Sequence, residues 1–343
     1  MKLGIIGLAQ SGKKTLFESL TRVAFASEKV HENHIGTVPV PDARIDRLSS
    51  MYNPRKTTCA QVAYFLPGTD LRKERAAQEA TWTRVRDCDA LIHVVRNFAD
   101  SFSGPADPSA DFRKVEEDLI FTDLVVAEKR IERMNQEKDR GRPVDLEELA
   151  LLETCRNVLD QEKPLRTDPE TSAHPKLRGF TFLSAKPVLV LFNNADDDDT
   201  IPDTGNGFAH VDTAVVRGML EREITLMSED DAAAFLDEYG IAEPAMHRVI
   251  RRSYALLGLI SFFTVGEDEV KAWTIRKNTA AVDAAEAIHS DIKKGFIRAE
   301  VVAYGDLISA GSYAEARKKG TVRLEGKTYL VQDGDIIDFR FNV

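Results

Sequence analysis

The stretch Gly7-Leu8-Ala9-Gln10-Ser11-Gly12-Lys13-Lys14-Thr15 constrains the fold more than any other part of the chain. It follows the apolar run Leu3 to Ile6 and opens a helical pattern through Leu16 and Leu20. Glycines at that spacing let backbone N–H groups curl around phosphate oxygens, the helix N-terminus adds partial positive charge, and Lys13 can reach the terminal phosphates. Gly7, Gln10, Ser11, Gly12, Lys13, Lys14 and Thr15 are therefore the expected phosphate-binding residues. The plain alternative is a tight strand-to-helix turn that holds no ligand. Lys14 departs from the pattern, because a Ser or Thr hydroxyl normally ligates magnesium at that position. Thr15 comes one residue late, about 100° further round the helix, and does not replace it. Lys14 is either a solvated charge or an ammonium standing where the metal would sit, so magnesium is doubtful and no metal ligands are assigned.

Strand-like runs at Leu3 to Ile6, Val62 to Leu66, Leu91 to Val95 and Val188 to Phe192 alternate with helical ones, which implies a mostly parallel sheet covered by helices. Between the third and fourth runs, Asp118 to Lys138 and Leu146 to Leu159 carry apolar residues three and four apart amid dense charge. Asp139 to Pro143 separates them, so two antiparallel helices are inserted into the α/β domain. Beyond Leu256 to Leu259 come strands at Phe262 to Val265 and Ala272 to Ile275, a helix at about Thr279 to Ile292, and strands at Val322 to Leu324, Tyr329 to Val331 and Ile336 to Phe341. Asp333-Gly334 signals a tight turn. The expected division is a P-loop domain of residues 1–115 and 181–258, a helical hairpin of 116–180 and a small α+β domain of 259–343.

A net charge of −10 excludes a chain that coats nucleic acid with its whole surface, so any RNA contact is confined to a patch, and no DNA contact is expected. Three scattered cysteines fit neither a disulfide framework nor a zinc site and suit a reducing cytoplasm. No secretory leader and no apolar run of membrane-spanning length is read, so a soluble, cytoplasmic protein is expected. His93 lies in an apolar strand and reads as a packed, hydrogen-bonded residue rather than a catalyst. In the last domain, Lys293, Lys294 and Arg298 flank Phe296, and Arg317, Lys318 and Lys319 form a second cluster. Basic residues interleaved with an aromatic suit RNA phosphates and bases, although the domain from Leu259 onward holds 12 basic and 13 acidic residues.

Several segments together resemble the YchF-type, Obg-related family of P-loop GTPases and ATPases. They are the phosphate loop, Thr37 to Asp46, His93 to Arg96, Glu269 to Ile275, Lys294 to Glu300 and the terminal Phe341-Asn342-Val343. The resemblance implies a Ras-like P-loop NTPase fold of class α/β with an inserted helical hairpin, then a TGS-like (ubiquitin-like) domain. It further implies GTP or ATP as ligand and a ribosomal or ribosomal-RNA partner met through the C-terminal domain.

The family's Asp-x-x-Gly segment corresponds to Phe65-Leu66-Pro67-Gly68. Gly68, the expected γ-phosphate sensor, is kept, whereas Phe65 cannot hold magnesium or its water. The segment 69–86 reads as ordinary helix rather than as a glycine-rich switch, and no threonine aligns with the metal-contacting one of the first switch. Asn193-Asn194-Ala195-Asp196 matches the base-reading segment, with Asn193, Asn194 and Asp196 as base contacts and Asp196 tilting toward guanine. Asn194 to Asp197 is a second possible register, and an acidic solvated loop is the plain alternative. No counterpart of the last base-contacting motif is recognised around Asp212 to Met219. These departures imply a nucleotide-binding regulator with weak or absent hydrolysis. A slow NTPase with a non-standard metal site and a nucleotide-free scaffold remain as alternatives.

Overall fold

The computed structural model describes residues 1–23, 32–68, 74–99, 104–202 and 210–342. They form two compact units, the first of residues 1–37 and 63–249, the second of residues 38–62 and 250–343.

In chain order the elements begin with β1 (Lys2–Ile6), α1 (Lys13–Thr21), β2 (His34–Pro39), α2 (Ala43–Tyr52), β3 (Lys56–Thr58), β4 (Gln61–Leu66), α3 (Glu74–Val85) and β5 (Ala90–Asn97). Next come α4 (Pro108–Asp139), α5 (Leu146–Leu159), α6 (Pro169–Ser172), β6 (Val188–Asn194), β7 (Asp212–Val216), α7 (Gly218–Leu226) and α8 (Glu229–Glu238). The first sheet has the order β2-β4-β1-β5-β6-β7, with β4, β1, β5, β6 and β7 paired in parallel. Helices cover parallel strands on both faces, so their residues have no solvent side to alternate with. Accordingly β6 is buried at every position and β5 at all but its last.

The inserted hairpin is α4 against α5. Asp107 caps α4 by accepting the Ala110 N–H at 2.9 Å, and Pro108 starts the helix, where a missing N–H costs nothing. The sequence expectation of Asp118 thus places the start ten residues late. At about 1.5 Å per residue the helix runs for roughly 48 Å. Its buried stripe Ile120, Ala127, Ile131 and Met134 meets Leu149, Leu152, Cys155 and Leu159 of α5 in a core of its own. The return path is fixed by Asp123, which is fully buried and accepts the N–H groups of Leu183 at 3.0 Å and Ser184 at 2.7 Å.

The remaining elements are α9 (Ala245–Leu256), β8 (Leu259–Thr264), β9 (Glu269–Arg276), α10 (Ala281–Ile288), α11 (Ser290–Lys294), β10 (Phe296–Ala303), α12 (Tyr304–Ala310), α13 (Tyr313–Lys318), β11 (Arg323–Glu325) and β12 (Asp335–Phe341). The second sheet has the order β11-β10-β12-β8-β9-β3. Its core is Phe262, Ile275, Phe296, Val301, Ile337 and Phe339 beneath the alanine face of α10.

The second unit differs from the expected 259–343 because it begins at Ile250 and also takes in residues 38–62. β3 pairs in parallel with β9, Thr58 Oγ1 donates to Glu269 Oε1 at 2.6 Å across 211 residues, and α2 packs against β9. Arg44 of α2 joins Asp42 at 2.8 Å to Asp333 at 2.9 Å. Asp333 in turn accepts the Ser261 N–H. The expected helix 279–292 is broken at His289, whose extended backbone caps α11 through its Nδ1. Tyr329 to Val331 is no strand and contributes only an isolated bridge from Leu330 to Ala280.

The fold class is the expected one, a P-loop α/β domain with a helical insertion followed by an α/β unit compatible with a TGS-like domain. Among the described residues no helix is long and apolar enough to cross a membrane.

Candidate functional site

The loop between β1 and α1 has the backbone that its glycines suggest. Gly7 and Gly12 take φ of 144° and 93°. A Cβ on Gly7 would lie 2.3 Å from the Val94 carbonyl oxygen, and one on Gly12 2.2 Å from Asn193 Nδ2, so neither position accepts a side chain. Gln10 also has positive φ, 60°, which costs a non-glycine residue strain. Lys13 folds back over the loop and donates to the carbonyls of Gly7, at 2.9 Å, and Leu8. Burial lowers its ammonium pKa to about 8. Ser11 is buried and its hydroxyl has no hydrogen-bond partner among the described residues. Thr15 is half-buried and Lys14 is exposed at the start of α1.

Asn193, at the end of β6, is buried and bridges two loops. Its Nδ2 donates to the Ser11 carbonyl at 3.1 Å and its Oδ1 accepts the Gly218 N–H at 2.9 Å. It therefore acts as a strut between the phosphate loop and the start of α7, with both ends of its carboxamide engaged. Asp196 is exposed; its Oδ1 accepts the Leu220 N–H at 3.2 Å, and Arg217 Nη1 donates to its carbonyl at 3.3 Å. Asn194 is not brought to this cluster. It is buried, donates to the Thr200 carbonyl at 2.8 Å and accepts from Asn97 at 3.0 Å, because alternate residues of a strand point to opposite faces. That geometry favours the Asn193 register over Asn194 to Asp197.

The segment Arg217-Gly218-Met219, in which the sequence shows no base motif, therefore adjoins Asn193 and Asp196, two of the expected base contacts. The one signal in the sequence was glycine between strand and helix: a Cβ on Gly218 would lie 2.7 Å from Asn193 Oδ1.

Phe65 is a core residue, packed with Ile6, Trp82, Val85 and Leu91. Lys14 and Phe65 together remove the hydroxyl and the carboxylate on which magnesium depends, so the residues present do not fit that ion in its usual site. Among the described residues no group of three or more His, Cys, Asp or Glu side chains is placed to share a metal. Gly68 is buried, its N–H donating to Asn33 Oδ1 at 3.1 Å and its carbonyl accepting from Arg84 Nη1 at 2.5 Å. Of the expected helical segment 69–86, residues 74–85 are helix and 69–73 lie outside the described residues.

His93 is buried, as expected, and stacks on Phe112 with centroids 5.4 Å apart. Its Nε2 has no hydrogen-bond partner among the described residues. Burial, then the charges of Lys13 and Arg166, lower its pKa to about 3, so it is neutral. A cavity of about 690 Å³ at the root of the hairpin, lined by Phe112, Glu116, Ile120, Val158 and Lys163 among others, includes no residue of the phosphate loop.

In the second unit the candidate RNA contacts separate into different kinds. Phe296 is 5% exposed and sits edge-on to Phe339 in the core, so it cannot stack on a base. A strand irregularity between Phe296 and Arg298 turns Phe296 inward and leaves Ile297 exposed. Lys293 pairs with Asp283 at 2.9 Å and Glu286 at 2.6 Å, Lys294 with Asp291 at 3.4 Å, and Lys318 with Glu315 at 2.6 Å. Lys319 donates to the Ser309 carbonyl, and Arg298 is exposed.

The family model YchF-GTPase_C, described as a protein of unknown function (DUF933), matches residues 259–342. The "Ribosome-binding ATPase YchF" of Bacillus subtilis is 37% identical over 366 residues, covering 99% of each chain. That of Escherichia coli O157:H7 is 34% identical, covering 100% of this chain and 99% of its own. The structure of the Schizosaccharomyces pombe YchF GTPase superposes with a TM-score of 0.85 at 27% identity, covering 99% of this chain and 97% of that one. A GTP-binding protein from Pyrococcus horikoshii, at 17% identity and TM-score 0.61 with full coverage of both chains, shares the fold. With more than a third of its residues identical over essentially the whole length of its bacterial relatives, the chain belongs to the YchF family.

Proposed function

We propose that this chain is a cytoplasmic, ribosome-associated regulator that binds GTP or ATP and hydrolyses it weakly or not at all. One observation carries the reading: a phosphate loop braced by Asn193 and Gly218 stands beside Lys14 and Phe65, which have replaced the magnesium-holding groups. Gly7, Gln10, Ser11, Gly12, Lys13 and Thr15 cradle the phosphates, and Asp196 with the Arg217 to Met219 segment meets the base. The relatives' name, ribosome-binding ATPase, supports ribosome association. The second unit is the proposed route, with Lys293, Lys294, Arg298, Lys318 and Lys319 as the local cations. Phosphoryl transfer relies on charge stabilisation that a metal normally supplies, so losing its ligands removes rate more than binding.

Calorimetric titration with ATP, GTP and their diphosphates, each with magnesium and with chelator, tests the reading. Nucleotide affinity is expected to change less than about tenfold, or about 1.4 kcal/mol, on adding chelator. Single-turnover assays are expected to show no burst. A larger loss with chelator, or turnover abolished by Lys13→Ala, would favour the second reading of a slow NTPase with an unconventional metal site. Failure of every nucleotide to bind would favour the scaffold.

A further inference from the structure

Both peptide planes that meet at Gly68 are held by side chains. The plane carrying its N–H is bonded to Asn33, one residue before β2, and the plane carrying its carbonyl is bonded to Arg84 in the last turn of α3. By the family resemblance this amide is the donor that a γ-phosphate would meet. An N–H has one hydrogen, and at 3.1 Å from Asn33 Oδ1 that hydrogen is already in use. A phosphate oxygen is the stronger acceptor, but to win the amide it must displace the carboxamide. It must do so without the usual magnesium ligands, since Lys14 and Phe65 stand at their positions. The charge-assisted bond from Arg84 also opposes rotation of the adjoining peptide toward the loop.

We propose that Asn33 is a specificity-determining residue of the nucleotide site, its carboxamide engaging the Gly68 amide in place of a γ-phosphate so that di- and triphosphates bind nearly alike. The inference rests on the nucleotide-binding reading above. It makes Gly68 a fixed point where a nucleotide switch has a moving one, because the partner that holds the amide belongs to the chain and is present whatever nucleotide is bound.

The test uses the full-length chain. Hydrogen exchange at the Gly68 amide, without nucleotide, is expected to be slow in the wild type, about tenfold or more faster in Asn33→Ala, and slow in Asn33→Asp, which keeps the acceptor. Calorimetry with GDP, ADP and the non-hydrolysable analogues of GTP and ATP then gives the ratio of triphosphate to diphosphate affinity. That ratio is expected to lie within about fivefold of one in the wild type, and to move toward the triphosphate by about tenfold in Asn33→Ala but not in Asn33→Asp.

A wild type that prefers triphosphate by more than fivefold overturns the proposal, even where the alanine variant does not fold. So does an Asn33→Ala protein that exchanges faster at Gly68 yet keeps the wild-type ratio. Binding of no nucleotide by any of these proteins overturns the nucleotide-binding reading and this inference with it. It is distinguishable from failure of the inference alone, in which both nucleotide classes bind and only the ratio disagrees.

Discussion

Lys13 donates to two loop carbonyls and, enclosed by the loop, titrates near pH 8 instead of the usual lysine range. A bound phosphate favours the charged form and raises that value, so binding takes up a proton once the free protein has begun to lose it. ATP affinity is therefore expected to be flat below about pH 8 and to fall above it, by at most about tenfold per pH unit. Calorimetry at pH 7, 8 and 9 in buffers of different ionisation enthalpy checks this. Lys13→Arg, which keeps its charge throughout, should remove the trend, and equal ATP affinity at pH 7 and 9 would contradict the assignment. At this scale Gly7, Gly12 and Lys13 were legible because a phosphate loop is a local spacing. The choice between Asn193 and Asn194 was not, since it depends on which face of β6 meets the loop. Nor was the clasp on Gly68, whose partners lie 35 and 16 residues away.

Elements were legible where their periodicity is long or their burial two-sided, as in β5, β6 and the hairpin helices. They were obscured where one irregular residue changes the face presented. Phe296, between lysines and an arginine, looks exposed in sequence, but the irregularity at the start of β10 turns it into the core. Phe296→Ala is therefore expected to destabilise the protein by about 3–5 kcal/mol, the cost of emptying an aromatic site. Arg298→Ala should lie within about 0.5 kcal/mol of wild type, as an exposed change does. Thermal unfolding of the two variants decides between a core and a surface role for Phe296, and equal Tm values would contradict the core assignment. The break at His289 that splits α10 from α11 was likewise obscured, because Ala284 to Ala287 before it and Lys293-Lys294 after it are good helix formers and carry the helical pattern across the weaker Ser290-Asp291.

The two-unit division of the whole molecule was the least legible feature, since three-residue β3 carries no strong pattern and finds its partner strand 213 residues later. It bears on how the proposed ribosomal contact is to be measured. A fragment of residues 259–343 lacks β3, α2 and the Arg44 bridge to Asp333, and is expected to unfold at lower temperature and less cooperatively than residues 250–343 joined by a short linker to 38–62. Circular dichroism melts of both fragments check this, and indistinguishable curves would contradict it. Co-sedimentation with ribosomes in rising salt is then informative for the joined fragment: pelleting is expected to weaken steadily with salt, as for contact through local cations. The same long-range pairing sets a clock on biosynthesis. At about 5–20 residues per second, residues 56–58 leave the peptidyl-transferase centre roughly 10–40 s before the strand they pair with has been made. For that interval the nascent chain carries a solitary strand and an amphipathic helix with nothing of their own sheet to cover them.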